Sequence, residues 1–308
     1  MTKIEKTNRE KEISARIVAR LKTGITIDQA LSSLNVQELA AVWLAAQEEL
    51  KNINKKEAAY KNLLDGANKI QELVIDRLAT MQKIYVLFTK YSHMPYYMTN
   101  GYVCLFSEKE YATEFSDICE KSLRSVHIQR VEKKQIQVFF SQLFKLYGVK
   151  GAVIDPGQNC LVYTADRFIR HMSNLTREQL IPSAPDLVRA AAMLQQESNY
   201  SGVYTGKEEL LRQLRIETLA GLKKARFIIP FKPGKKTDYP EVVKPGTKSP
   251  LAVPIFTDMD QFDIFYNRTF PRTIVSVSEL IKYPPQLYTI NPGTIWFTVD
   301  KRTLKKLC

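Results

Sequence analysis

The chain is poor in the side chains that do most protein chemistry. It holds three histidines, four cysteines and two tryptophans in 308 residues. His93, His127 and His171 lie far apart, and none stands at the spacing of a metal-binding pair. Cys104, Cys119, Cys160 and Cys308 are likewise unpaired in spacing, and three of them fall in apolar or amphipathic runs. Free thiols of that kind suit a reducing compartment, so a cytoplasmic protein is expected. A pairing of Cys104 with His127 needs the fold to assemble it; the plainer reading of Cys104 is a packed strand residue. The twelve glycines form no phosphate loop: Pro156-Gly157-Gln158 and Lys232-Pro233-Gly234-Lys235-Lys236 lack the spacing of a P-loop or a dinucleotide fingerprint. There is no Gly-x-Ser-x-Gly elbow. No apolar run approaches the roughly 18 to 20 residues that cross a bilayer, and the start, Met1 to Lys6, is polar with no signal-type core behind it. These absences lead us to expect no enzyme, no cofactor, no metal and no membrane association.

What is present is an ordinary globular composition, 44% hydrophobic and 25% charged, long enough for two domains or one large one. The net charge is +13, and it is unevenly placed. Residues 225–308 carry 13 basic against seven acidic side chains. Lys232, Lys235, Lys236, Lys244 and Lys248 stud one Pro/Gly-rich loop there, and Lys301, Arg302, Lys305 and Lys306 crowd the end. Such a patch attracts nucleic acid; without a recognition motif it reads more simply as a solvated lysine-rich surface.

Hydrophobic periodicity divides the chain into four stretches. Residues 1–82 have helical spacing: one helix over 8–22, a second opened by Asn35 with Glu38 as a capping box, and a third over 56–82. At Ile84 the pattern turns to β-branched and aromatic runs. Residues 83–167 predict strands at 84–88, 102–106 and 126–131, helices at 108–120 and 135–147, and a hairpin of 152–154 with 161–163. Ser107 with Glu110 reads as the capping box of the first of these helices. Residues 168–224 return to helical spacing, with Thr176–Gln179 and Thr205–Glu208 as further capping boxes. Residues 225–308 predict strands at 226–231 and 251–256, a helix opened by Thr257 with Asp260, a short element over 275–283, and a hairpin of 287–290 with 295–299.

The second and fourth stretches share their letters. Ile154-Asp155-Pro156-Gly157 matches Ile290-Asn291-Pro292-Gly293, and Val103 to Ser107 matches Val253 to Thr257. In each, an aromatic follows nine positions after the first, Phe115 after Phe106 and Phe265 after Phe256. The intervals from Phe106 to Asp155 and from Phe256 to Asn291 differ, 49 against 35, so the first copy is expected to hold an extra helix and strand. An α+β protein with two related sheet-plus-helix modules is the predicted fold. Val253-Pro254-Ile255-Phe256-Thr257-Asp258, Phe262, Phe265 and Ile290-Asn291-Pro292 stand in the order of the SseB family, the enhanced serine sensitivity proteins. The chain resembles that family best over 227–299, and in degenerate form over 84–163, where Cys104 replaces the proline and Asp155 the asparagine. The resemblance implies a small α+β module of unsettled activity, with no catalytic residue or cofactor to carry over.

Two clusters invite a functional reading. Tyr96 and Tyr97, in the loop between two strands, and Tyr239 with Lys232, Lys235, Lys236, Lys244 and Lys248 in the counterpart loop, would line one aromatic and basic groove if the modules lie side by side. Such a groove suits an acidic peptide or single-stranded nucleic acid, and it requires an accessible Tyr96 or Tyr97; the plainer reading packs these tyrosines on their own sheet edge. Glu108, Glu110, Glu114, Asp258, Asp260 and Asp263 suggest a metal or acid–base role, but acids at the start of a helix have a simpler cause in its dipole and free amides. The function expected is a protein- or ligand-binding module, its helical region serving a partner or a second copy. A nucleic-acid or ribonucleoprotein adaptor is the alternative.

Overall fold

The computed structural model describes residues 3–92, 94–171, 184–234, 238–244 and 250–308. The fold is α+β. Four helices come first: α1 (Lys3–Lys22), α2 (Asp28–Ser32), α3 (Val36–Asn52) and α4 (Ala58–Thr80). The predicted capping box is there, with Asn35 Oδ1 accepting from the Glu38 N–H at 2.9 Å and Glu38 Oε2 from the Asn35 N–H at 3.0 Å. Ile17 and Leu21 of α1, Leu39 and Val42 of α3, and Ile70 and Val74 of α4 meet in one buried layer.

A five-stranded sheet follows, in the order β3-β1-β2-β4-β5. Its strands are β1 (Lys83–Thr89), β2 (Tyr102–Phe106), β3 (Val126–Glu132), β4 (Gly151–Ile154) and β5 (Leu161–Thr164). Helix α5 (Lys109–Lys121) joins β2 to β3, α6 (Lys133–Lys145) joins β3 to β4, and α7 (Ala165–His171) follows β5. Only β2 and β4 run parallel. Side chains alternate between faces as a pleat requires. Tyr85, Leu87, Cys104 and Phe106 pack beneath α5, whereas Ile84, Val86, Val103 and Leu105 join the core that α1, α3 and α4 began.

Helices α8 (Pro185–Asn199) and α9 (Lys207–Lys224) pack on each other and lead to β6 (Arg226–Pro230). After β7 (Val253–Ile255) come α10 (Met259–Phe265), β8 (Arg272–Ser276), α11 (Val277–Leu280), β9 (Leu287–Ile290), β10 (Phe297–Asp300) and α12 (Lys301–Lys305). Strand β6 pairs with β8, β7 with β9, and β9 with β10. Ile228 and Phe256 exchange backbone hydrogen bonds of 2.8 and 3.0 Å and so join the two groups. The resulting order, β8-β6-β7-β9-β10, repeats the first sheet strand for strand. The parallel pair falls in the same place, and Phe256 pairs with Ile228 as Phe106 pairs with Tyr85.

Several expectations need correcting. The second sheet has its own β8, so the first carries longer helices rather than an extra strand. Three of the capping boxes are absent. Glu108 stands at the α5 N-cap without a side-chain bond, the N-cap of α9 is Gly206 rather than Thr205, and Asp258, not Thr257, caps α10. Asp258 accepts from the N–H groups of Asp260 and Gln261, each at 3.0 Å. The Thr176–Gln179 pair lies outside the described residues. The repeated turn letters also fold differently. Gly157 has φ +90°, as a type II turn demands, whereas Gly293 has no positive φ and is needed for closeness: a Cβ there would come within 2.6 Å of Ile264 Cγ2.

Candidate functional site

Asp155 and Asn291 are where the shared letters act. Both are fully buried, and both take the left-handed backbone conformation, φ +48° and +47°. Few side chains other than Asn and Asp adopt it readily. In the first sheet Asp155 Oδ1 accepts from the Ser107 N–H at 2.7 Å, and Oδ2 from the Ser107 hydroxyl at 2.7 Å. Oδ2 also accepts from Gln37 Nε2 of α3 at 2.6 Å. In the second sheet Asn291 Oδ1 accepts from the Thr257 N–H, and its Nδ2 donates to the Thr257 hydroxyl, both at 3.0 Å. Ser107 and Thr257 thus anchor the far turn. Burial pushes the Asp155 carboxyl above its ordinary value, opposed by the bonds from Ser107 and Gln37. The pair is sealed within the fold, so it holds structure rather than presenting a nucleophile.

Among the described residues the aromatic side of the expected groove is closed. Tyr96 and Tyr97 are buried, 7% and 1% exposed, which removes the accessible ring that the groove required. Tyr97 donates its hydroxyl to the Tyr147 carbonyl at 2.6 Å, while Gln196 of α8 bonds both its backbone groups. Tyr239 is buried against Tyr283, both in loops beside the second sheet. Lys232 pairs with Asp238 at 2.9 Å, and Lys244 is half-buried. Lys235, Lys236 and Lys248 lie outside the described residues. The acids do not converge either: Glu114 accepts from Gln158, Asp260 pairs with Lys145 and Asp263 with Arg268. Among the described residues no three His, Cys, Asp or Glu side chains gather as metal ligands. Cys104 faces α5 with Cys119, and burial raises both thiols, Cys119 to about 11. His127 stands beside Phe88, whose ring belongs to the other face of that sheet. The sheet therefore separates Cys104 from His127.

Sequence reasoning missed a polar cluster around Arg124, just after α5. Its guanidinium lies 4.7 Å from the Tyr200 ring centre, 5.6 Å from Tyr204 and 5.7 Å from Tyr96. It donates to the Tyr96 hydroxyl at 2.7 Å and pairs with the buried Glu197 carboxylate at 3.2 Å. Burial, reinforced by the bond to Glu197, lifts the Tyr204 phenol to about 12. The cluster is an aromatic cage filled by the chain's own cation. The recess beside it, about 20 Å³, has room for little more than a water molecule.

An open recess lies elsewhere, a furrow of about 730 Å³ between α1 and α3. Small residues at four-residue spacing, Ala15 and Ala19 on one helix and Ala41 and Ala45 on the other, make it wide, with Val18 as its floor. Leu44 stands 40% exposed on its wall. Glu10, Lys11, Glu48 and the Lys22–Glu49 ion pair form a charged rim. An apolar trough with charged margins accepts the apolar stripe of another helix. A period-3.6 plot shows which face of α1 is buried, but not that the alanines beside it go uncovered. Comparison of the chain with family models, with curated proteins and with solved structures finds no match.

Proposed function

We propose that this chain is an SseB-type, non-enzymatic, cytoplasmic protein-binding module, and that the furrow between α1 and α3 receives an amphipathic helix of a partner protein. The furrow carries this reading: it is a large recess with an apolar floor, and its rim supplies both signs of charge to orient a helix. The family assignment is supported by the use the chain makes of the motif. Thr257 and Asn291, at opposite ends of the resemblance, bond one another. The absence of an enzymatic role is argued from what the polar residues do, since Asp155, Ser107, Asp258 and Glu197 are each occupied in holding elements together.

Ala15 and Ala19 are exposed, so Ala15→Arg and Ala19→Arg fill the furrow without entering the core. With a photo-crosslinker at Leu44, the native-cell adduct is expected to map to a helical segment of one partner, and each arginine variant to lose it. Adducts of unchanged identity and yield in both variants would remove the furrow as a docking site. The nucleic-acid alternative rests on the net charge of +13. It predicts retention on immobilised RNA that falls steeply with salt. Absence of retention at low salt excludes it.

A further inference from the structure

Strand β8 is an open edge. Among the described residues it pairs with β6 alone, with Ile274 opposite Ile228. Ile228 spends its N–H and C=O on Phe256, the residue after β7. Ile228 and Ile274 are therefore a non-hydrogen-bonded pair of the antiparallel ladder, and the backbone groups of Ile274 point outward, away from β6. Among the described residues nothing pairs with them. The Ile274 side chain is 56% exposed, on the face that carries Phe256.

The first sheet treats the same edge differently. Arg130 stands where Ile274 does, opposite Tyr85, and it is tied to Glu132 at 2.5 Å. The 13-residue α5 reaches β3, whereas α10 has only seven residues and leaves Ile274 uncovered. Charge and cover are the usual protections of an edge strand, and β8 lacks both at its centre. Its surroundings are basic. The Arg272 guanidinium lies over the Phe262 ring and donates to the carbonyls of Arg268 and Phe270, with no carboxylate partner among the described residues. Arg226 and Lys282 lie close enough to Glu279 to depress its carboxyl, after its bonds to Ser276.

We propose that the outer edge of β8 takes up an extended peptide segment of a partner protein as a sixth strand, one that carries apolar and acidic residues two positions apart, so that both fall on the face of Ile274 and Arg272. The outward N–H and C=O of Ile274 supply main-chain pairing. Ile274 meets the apolar side chains, and Arg272 and Arg226 meet the acidic ones. The excess of positive charge favours such a segment over a second copy of this edge, which would bring arginine towards arginine. This site is separate from the furrow and does not depend on it.

The test uses the whole purified chain and two capped decapeptides, one built on a valine-threonine-glutamate-threonine repeat and one on a valine-threonine-lysine-threonine repeat, so that valine and the charged residue share a face. Amide exchange at Ile274 is followed by NMR. The valine–glutamate peptide is expected to slow it at least about tenfold, and the valine–lysine peptide to leave it unchanged. Arg272→Glu should reverse that preference. Ile274→Pro, which removes an outward N–H that an edge strand can spare, should abolish binding while the melting transition remains. Ala15→Arg should bind as the wild type does, so failure here is separable from failure of the furrow. An Ile274 amide already protected in the free chain, equal protection by both peptides, or dimerisation through this edge without peptide would each overturn the proposal.

Discussion

Asp155 keeps a carboxylate out of water and feeds it three donors, from the Ser107 N–H, the Ser107 hydroxyl and Gln37. Asparagine at Asp155 is not an innocent change, although the second sheet uses one. Its amide can donate to the Ser107 hydroxyl, but it then confronts the amide of Gln37, whose Oε1 is already held by the Asn159 N–H at 3.2 Å. Asp155→Asn should cost about 1–3 kcal/mol at neutral pH, the usual penalty of a buried donor without an acceptor. Adding Gln37→Glu supplies that acceptor and should recover part of the loss, which a double-mutant cycle of urea midpoints would read as coupling. Burial also sets the pH dependence. The folded carboxyl titrates above its unfolded value, so its contribution to stability is complete below the unfolded pKa and is lost as pH rises through the folded one. Asparagine does not titrate. The wild-type advantage over Asp155→Asn should therefore grow as pH falls from about 7 to about 4. An advantage that shrinks over that range would mean the carboxylate is better solvated than its burial indicates.

Elements close on one another through these same side chains. Asn291 meets two demands at once, a left-handed backbone and a pair of bonds to Thr257 at the end of β7. Asn291→Ala loses both and should cost about 2–4 kcal/mol in chemical denaturation. Asn291→Gly restores only the backbone freedom, so it should fall between the two, and equal losses for both variants would show that the conformation contributes nothing. The strands were legible in the sequence because their β-branched runs are local; Tyr102–Phe106 and Leu287–Ile290 stand where their residues put them. The partners of Ser107 and Thr257 were not. Ser107 with Glu110, and Thr257 with Asp260, have the spacing of a capping box, whereas the true acceptors lie 48 and 34 residues away. Nothing in an i,i+3 pattern distinguishes the two. Burial of Tyr97 was hidden for the same reason, since it depends on Gln196, 99 residues further on. Strand β8 escapes the sequence pattern because Thr273 and Ile274 are exposed and break the apolar alternation, so only Val275 onwards reads as an element.

At the scale of the molecule, α8 holds the two sheets together. Gln195 donates to the Trp296 carbonyl of the second sheet unit at 3.0 Å, and its neighbour Gln196 grips the Tyr97 backbone of the first. Further ties cross directly, as Gln261 donates to the Leu146 carbonyl at 2.7 Å and Lys145 pairs with Asp260 at 2.6 Å. Glu197, the next residue of α8, completes the grip through Arg124. Glu197 is 2% exposed and accepts from Arg124, Gln196 and Tyr204, so removing the guanidinium leaves a charge in a place that water barely reaches. Arg124→Ala should therefore destabilise the whole chain by about 3–5 kcal/mol. Arg124→Lys keeps the charge, but its single ammonium cannot stack on three rings while bonding both Tyr96 and Glu197, and its loss should be smaller. The decisive comparison is Arg124→Ala in a Glu197→Gln background. If the stranded carboxylate is the main cost, the neutral amide will cancel much of it and the melting temperature of the double variant will exceed that of Arg124→Ala alone. A penalty for Arg124→Ala that is the same in both backgrounds would instead place the stabilisation in the guanidinium's stacking on Tyr96, Tyr200 and Tyr204, with the ion pair a bystander to the docking of α8.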